Sequence, residues 1–284
     1  MTKRIKKTAE HLVLGLDLGS PSLKAVAVEE NGRLRGFMRD DSARHGPDAA
    51  PALAARLTEE FDLDWDRIRC IGVTGLGSLS APESLGGVTL TRINEFDAIG
   101  RGGLALAKRK SALVVSMGTG TAFVKAGPEG MLHLGGSGVG GGIITGLSRH
   151  LYGLEHFPDI IALAEKGDLT KVDLKMGDVL PCDYFGLAPE LTASNFAKIT
   201  CTATREDFLF ALINMVLEVI GMMSIMICRA GSIDAIVATG SIAAIPLSHT
   251  VFSSLSLRTH IPITIPPNSP YSTALGSALS CMEE

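Results

Sequence analysis

The chain has 284 residues, of which 46% are hydrophobic and 20% are charged, and its formal net charge is −4. This length suffices for one large domain or for two lobes with separate cores. Because basic residues are not in surplus, the composition gives no electrostatic support for binding to nucleic acid. The 32 glycines cluster at turns, as is typical of α/β folds that bind nucleotides.

The five cysteines form no CxxC pair and have no regular spacing, so they predict no metal site. Their odd number, without an export signal, favours a reducing cytoplasm. The basic segment 1–11 precedes only a short β-rich run, and we expect a lead-in rather than a signal peptide. The most apolar stretch, 212–228, contains Glu218 and is short for a bilayer span. We therefore expect a buried or dimer-interface helix there and no membrane association.

The first third of the chain predicts strands followed by a crossover helix. Residues 12–37 have the pattern of a β-meander, with a two-residue hairpin loop at Asn31-Gly32. Apolar residues at helical spacing over 48–62 predict the crossover helix, and 68–73 predict a short buried strand. A further helix is expected over 97–110.

The rest of the chain repeats this order. Strands are predicted over 112–126, and a glycine-rich turn at 135–142 is expected to open an amphipathic helix. After the apolar helix come predicted strands over 233–239 and 261–265, and then a closing helix from Tyr271. The order of hairpin, helix and strand occurs twice, which predicts two similar α/β lobes facing a cleft.

The turn between the first two strands is the first candidate site. Asp17 ends a buried strand, Gly19 and Ser20 lie in the turn, and Lys24 opens the next strand. Uncovered N–H groups in such turns bind anions, and glycine lets a phosphate approach the backbone closely. A carboxylate at this position could hold Mg²⁺, directly or through water. The alternative is a turn-capping aspartate beside a solvated lysine.

Two later turns of small residues also follow buried strands, and hydroxyl groups there would add donors for a phosphate. We expect both turns to bind parts of a nucleotide. Their residues are Gly118, Thr119, Gly120 and Thr121 in the first turn, and Gly240 and Ser241 in the second.

The glycine-rich block that starts at Gly135 leads directly into a predicted helix, whose N-terminus carries positive partial charge. The block lacks the ribose-binding acid of a dinucleotide fingerprint, and the chain has no Gly-Lys-Ser/Thr of a P-loop. We expect the block to bind an anion, the alternative being a flexible linker. The glycines concerned are Gly138, Gly140, Gly141 and Gly142.

Glu95 and Asp97 lie at the start of a predicted helix. Acids there commonly complement the helix dipole. The alternative is a general base aimed into the cleft.

Together these motifs resemble those of the type II pantothenate kinases, which belong to the superfamily of actin, sugar kinases and heat-shock-chaperone ATPases. The resemblance is collinear over nearly the whole chain. Its segments are GLDLGSPSLK (15–24), INEFDA (93–98), MGTGT (117–121), GGSGVGGGIITGLSRHL (135–151), GDLTKVDLKMGD (167–178), LTASNFAK (191–198) and ATGS (238–241).

The resemblance implies an actin-like ATPase fold: two duplicated ribonuclease-H-like α/β lobes with an ATP cleft between them. We expect the lobes to comprise residues 1–110 and 111–284. The family transfers the γ-phosphoryl group of ATP to the primary alcohol of pantothenate, the first step towards coenzyme A. ATP, Mg²⁺, a small-molecule acceptor and a homodimer are implied.

The resemblance also assigns roles. Glu95 matches the catalytic base, Asp17 the metal-associated aspartate and Lys24 the phosphate-facing lysine. The turn from Gly118 matches the second phosphate loop, and the glycine-rich block matches the turn that receives nucleotide phosphates. Gly240 and Ser241 match the adenosine end.

Two residues depart from the family pattern, both on the acceptor side. His133 stands where the family usually has an arginine, and histidine has fewer donors and is largely neutral at pH 7. Ala122 stands where the family commonly has a serine that bonds the substrate, and alanine offers no hydroxyl. The resemblance therefore supports ATP binding more strongly than pantothenate as the acceptor.

Two other classes of function stay open. One is a kinase for another small alcohol. The other is a non-kinase nucleotide-binding protein, such as the ATP-hydrolysing activators of 2-hydroxyacyl-CoA dehydratases, whose N-terminal pattern is close to GSPSLKAV. Those activators carry an iron–sulfur cluster supported by cysteines near a glycine turn, a context that no cysteine here shares.

Overall fold

The computed structural model describes residues 11–20, 22–41, 46–180 and 189–283. The predicted basic lead-in lies outside these residues except for His11.

The described residues form two large sheets, a small two-stranded sheet and eight helices. The strands are β1 (Leu12–Asp17), β2 (Leu23–Glu29), β3 (Leu34–Asp40), β4 (Ile68–Thr74), β5 (Ser84–Leu85), β6 (Val88–Arg92), β7 (Ala112–Met117), β8 (Thr121–Gly127), β9 (Gly130–Ser137), β10 (Leu174–Lys175), β11 (Thr192–Ser194), β12 (Ile236–Thr239) and β13 (Ile263–Thr264). The helices are α1 (Ala49–Glu60), α2 (Glu95–Ala107), α3 (Gly141–Tyr152), α4 (Phe157–Ala164), α5 (Met176–Val179), α6 (Arg205–Gly231), α7 (Pro246–Thr259) and α8 (Ser272–Cys281).

The two large sheets repeat one arrangement. The first has the strand order β3-β2-β1-β4-β6-β5, and the second has the order β13-β12-β7-β8-β9. In the first, β1 is antiparallel to β2 and parallel to β4; in the second, β7 is antiparallel to β8 and parallel to β12. This repetition confirms the prediction of two duplicated α/β lobes.

Strand β1 is buried along its whole length because both of its faces are covered. Successive side chains of a strand point to opposite faces. Leu14 and Leu16 accordingly pack with Leu53 of α1, whereas Val13 packs with Ala278 of α8. The continuous apolar run in the sequence reflects this burial on two sides.

Helix α6 covers the outer face of the second sheet. It begins with a capping box in which Thr204 and Asp207 bond each other's backbone N–H groups. Ile213 and Leu217 pack with Leu113 of β7. The helix is long and apolar enough to cross a membrane, but 61% of its most apolar window is buried in this fold. The prediction of a buried helix over 212–228 is therefore confirmed.

Helices α2 and α8 form two inner layers between the large sheets. Helix α8 contacts β1 and β4 of the first sheet, and α2 contacts β7, β8 and β9 of the second. Each inner helix thus packs on the sheet built from the other half of the chain. A division of the chain near residue 110 stays a prediction.

Glycines let the two inner helices touch through their backbones. A Cβ atom at Gly102 of α2 would overlap the carbonyl oxygen of Ser272, and one at Gly276 of α8 would overlap that of Ala98. The sheet side of α8 has the same character, because a Cβ at Gly15 would overlap the Ala274 carbonyl oxygen. No side chain larger than hydrogen fits at these points.

Two local predictions are wrong. The turn between β2 and β3 spans residues 30–33 rather than two, with Glu29 N–H bonded to the Arg33 carbonyl (2.9 Å) and Gly32 at a φ of +83°. Gly135 and Gly136 belong to strand β9 rather than to a turn, because they pair with Phe123 and Ala122 of β8. The pairing with β8 overrides the weak strand preference of glycine.

We expect Gly276→Ala to destabilise the protein by about 1–3 kcal/mol or more, because the new methyl group must push the two helix backbones apart. Gly146→Ala is the matched control within another helix, α3, since a Cβ there meets no atom within 4 Å. That control should stabilise the protein by up to about 1 kcal/mol through helix propensity. Urea unfolding measures both, and equal stability of the two variants would contradict the packing argument.

Candidate active site

A cavity of about 680 Å³ opens between the two large sheets. Most of the site residues predicted from the sequence line it: Asp17, Gly19, Ser20, Lys24, Glu95, Gly118, Thr119, Gly120, Thr121, Ala122, Gly141, Gly142, Gly240 and Ser241. Gly138, Gly140 and His133 do not line this cavity. Residues that are far apart in sequence thus meet at one place in the fold.

Three charged residues form a row across the first sheet. In register, Asp17 of β1 faces Lys24 of β2, and Lys24 faces Arg39 of β3. Residues directly opposite one another on neighbouring strands lie on the same face of a sheet, and all three line the cavity. Arg39 was not predicted from the sequence, because it lies beyond residue 37, where the predicted β-meander ends.

Asp17 is nearly buried, with 8% of its surface exposed. Burial raises the pKa of its carboxyl group, while the Lys24 ammonium and the Gly19 backbone N–H oppose this rise. Lys24 Nζ lies 3.6 Å from Asp17 Oδ2. A second cation near this carboxylate would favour its charged form further.

The turn from Gly118 to Thr121 is bonded to the start of helix α3. The N–H groups of Gly141 and Gly142 donate to the carbonyls of Gly118 (2.8 Å) and Thr119 (2.9 Å). A Cβ at Gly140 would lie 2.6 Å from the Thr119 carbonyl oxygen, so this position requires glycine. The glycine block therefore fixes the shape of the turn, and direct anion binding by the block stays a prediction.

The turn that contains Ser20 and the turn that contains Thr119 also contact each other. Thr119 Oγ1 donates to the Ser20 carbonyl at 2.7 Å. In addition, Arg39 Nη1 donates to Ser241 Oγ at 3.2 Å. These two bonds join the lobes at two places on the cavity wall.

Glu95 is the first residue of helix α2. Asn94 caps this helix, since its side-chain oxygen accepts from the N–H groups of Phe96 (2.9 Å) and Asp97 (3.4 Å). Glu95 lines the cavity and Asp97 does not. Desolvation raises the pKa of Glu95, and the negative charge of Asp17 raises it further. A carboxylate with a raised pKa is suited to accept a proton.

The residues that depart from the family pattern occupy different places. Ala122 lines the cavity and faces Ser116 of β7 in register. Ser116 also lines the cavity, and the sequence analysis missed it because it lies within an apolar strand. His133 stacks on Phe96, with ring centroids 3.7 Å apart and planes inclined by 8°. It therefore contacts the helix turn that carries Glu95.

Sequence comparison finds relatives over much of the chain. The profile of the Fumble family matches residues 107–256. A type II pantothenate kinase of Bacillus cereus (strain G9842) is 30% identical over 216 residues, which are 71% of this chain and 79% of the relative.

Solved structures share the fold. The activator of the 2-hydroxyisocaproyl-CoA dehydratase from Clostridium difficile, with bound ADPNP, superposes with a TM-score of 0.68 at 16% identity, covering 96% of this chain and 94% of the other. A ROK family glucokinase from Streptomyces griseus, in complex with glucose and AMPPNP, has a TM-score of 0.62 at 13% identity, covering 96% and 100%. The predicted actin-like ATPase fold is confirmed.

The coupling between the two carboxylates can be tested by titration. We expect Asp17→Asn to lower the pKa of Glu95, because the variant removes a negative charge that disfavours ionised Glu95. Asp97→Asn is the control and should leave the pKa of Glu95 unchanged. Carbon-detected NMR of glutamate side chains across pH measures both, and an unshifted Glu95 in Asp17→Asn would refute the coupling.

Proposed function

Since the chain belongs to the family of type II pantothenate kinases, we propose that it transfers the γ-phosphoryl group of ATP to the primary alcohol of pantothenate. This would be the first step towards coenzyme A. The observation that carries the proposal is the meeting of Asp17, Lys24, Glu95 and the two small-residue turns in one cavity. Family membership supports the activity of a kinase of this family. Pantothenate as the acceptor is the part that we propose.

The nucleotide end of the site has the groups that ATP requires. Phosphoryl transfer depends mainly on positioning and on neutralising charge. Lys24 supplies a cation, and the turns at Gly19 and Gly118 form the cavity wall beside it. Gly240 and Ser241 would receive the adenosine end. Two proteins of the same fold hold the ATP analogues ADPNP and AMPPNP, which supports this assignment.

The donor set also fits Mg²⁺. Among the described residues no group of three His, Cys, Asp or Glu side chains could hold a metal ion by itself. Mg²⁺ commonly uses one or two protein carboxylates and takes its other ligands from water and phosphate oxygens. Asp17 supplies one such carboxylate on the cavity wall. Bound Mg²⁺ would neutralise charge on the phosphates.

Glu95 would accept the proton of the attacking alcohol. Its position on the cavity wall and its raised pKa support this role. A general base must be ionised, so the rate should fall as the pH falls through the pKa of Glu95, which lies above the ordinary 4.5. A general base contributes about 10²–10⁴-fold to a rate.

A kinase for another small alcohol is the second candidate. It is favoured by the acceptor side, where Ala122 brings no hydroxyl to the cavity and His133 is stacked on Phe96. The likeness to a dehydratase activator concerns the fold, and a fold does not determine a function.

We also propose a cytoplasmic homodimer. Met222 and Met226 lie one turn apart on α6 and are 41% and 62% exposed. Exposed apolar side chains on a helix whose most apolar window is 61% buried fit the face of a second copy.

The role of Glu95 is tested by Glu95→Gln, which keeps the size of the side chain but cannot usefully accept the proton. We expect kcat to fall by about 10²-fold or more with ATP affinity nearly unchanged. Asp97→Asn is the control on the same helix turn and should change kcat little, because Asp97 does not line the cavity. Steady-state kinetics with ATP and pantothenate decide it, and a Glu95→Gln enzyme with most of its rate would exclude Glu95 as the base.

The acceptor is tested by the double variant Ala122→Ser with His133→Arg. We expect tighter pantothenate binding, because serine places a hydroxyl on the cavity wall and arginine offers a forked set of donors for an anionic group. Calorimetry on the double variant and on each single variant measures the change. No gain in pantothenate affinity would favour the second candidate, a kinase for another alcohol.

A further inference from the structure

Arg39 lies inside the candidate site although no sequence motif includes it. Its side chain lines the cavity and is 30% exposed. Asp41 accepts from its Nε at 2.6 Å, and Ser241 of the opposite lobe accepts from its Nη1 at 3.2 Å. Asp41 and Ser241 therefore fix the guanidinium group of Arg39 at the cavity wall.

Arg39 is the third charged residue in a row across the first sheet. The carboxylate of Asp17 lies on β1, the ammonium of Lys24 on β2 and the guanidinium of Arg39 on β3. Glu95 raises the negative charge at the Asp17 end, since these two carboxylates interact. Carboxylates thus lie at the Glu95 end of the site, and Arg39, which is paired with Asp41, is the cation that contacts Ser241.

The place of the proton acceptor orients a polyphosphate chain in the cavity, because the reacting phosphate must lie near the base that activates the acceptor alcohol. Its reacting end would lie at Glu95, Asp17 and Lys24, and its nucleoside end would lie at Ser241. Neighbouring strands are about 4.8 Å apart, so Arg39 lies roughly one strand spacing beyond Lys24 towards the nucleoside. That is the place of the phosphates nearer the ribose.

We propose that Arg39 binds the phosphate chain of a nucleoside diphosphate or triphosphate on the nucleoside side of Lys24. This inference rests on the proposed function, since it requires a nucleotide in the cavity. Arginine presents five N–H donors in a planar fork that matches phosphate oxygens. Through its bond to Ser241, the same residue links phosphate binding to contact between the two lobes.

The test measures the binding of ADP and of adenosine by calorimetry, with Mg²⁺ and without acceptor. Arg39→Gln removes the charge and keeps a polar side chain. We expect it to weaken ADP binding by about tenfold or more, the size of effect of a charged hydrogen bond, and to change adenosine binding by less than about threefold. Arg39→Lys keeps the charge without the fork and should lie between Arg39→Gln and the wild type.

Two further variants separate the possible roles of Arg39. Arg69→Ala removes an exposed arginine of the same lobe that does not line the cavity, and it should bind ADP as the wild type does. Ser241→Ala removes the hydroxyl that accepts from Arg39 and that lies at the proposed adenosine end. It should weaken ADP and adenosine binding alike, and it should weaken ADP binding less than Arg39→Gln. Melting temperatures show whether each variant is folded. If Arg39→Gln is not folded, Arg39→Lys takes its place in the test.

Three outcomes would overturn the assignment of Arg39. They are an unchanged ADP affinity in Arg39→Gln, an equal loss for ADP and adenosine, and equal losses in Arg39→Gln and Ser241→Ala. In each case the wild type still binds ADP, so the proposed function stands. A wild-type protein that binds neither ADP nor ATP would instead overturn the proposed function, and this inference with it.

Discussion

The geometry of the site depends on backbone contacts made through glycine. Gly15 lets helix α8 rest on strand β1, and Gly276 and Gly102 let α8 rest on helix α2. Strand β1 ends at Asp17, and helix α2 begins at Glu95. The two carboxylates are therefore spaced by a stack of three backbone elements rather than by flexible side chains. Such rigid support holds catalytic groups within the narrow limits that chemistry requires.

Supported by these contacts, the two ends of the cavity are built from different elements, with turns at one end and strand side chains at the other. The proposed nucleotide end consists of turns whose backbone groups bond one another, as Gly141 N–H does with the Gly118 carbonyl. Its charges are placed by strand register, which puts Lys24 and Arg39 on the same face as Asp17. Lys24 pairs with Asp17, and Arg39 lies one strand further on, so the same row brings cations for phosphates into a cavity that also holds a proton acceptor.

The sequence predicts the parts of this arrangement that are local. Apolar runs that end in small turns mark the strands, and the acid at Glu95 marks a helix start, so most cavity residues could be named from spacing and family motifs. The return of α8 to the first sheet could not be predicted, because a glycine such as Gly276 carries no sign of its distant partner. Arg39 was missed because the predicted meander ended at residue 37, whereas β3 continues to Asp40. The stack of His133 on Phe96 is likewise a tertiary contact without a local pattern.

This difference between turns and strands bears on Ala122 and His133, the two residues that depart from the family pattern. At the nucleotide end, a side chain at Gly140 would meet the Thr119 carbonyl oxygen, so substitution there deforms the turn itself. At the proposed acceptor end, Ala122 and His133 contribute side chains from the paired strands β8 and β9, whose register shifts between Phe123 and Val124. We therefore expect exchange of the side chains at Ala122 and His133 to disturb the fold less than exchange at Gly140, where any side chain would deform the turn.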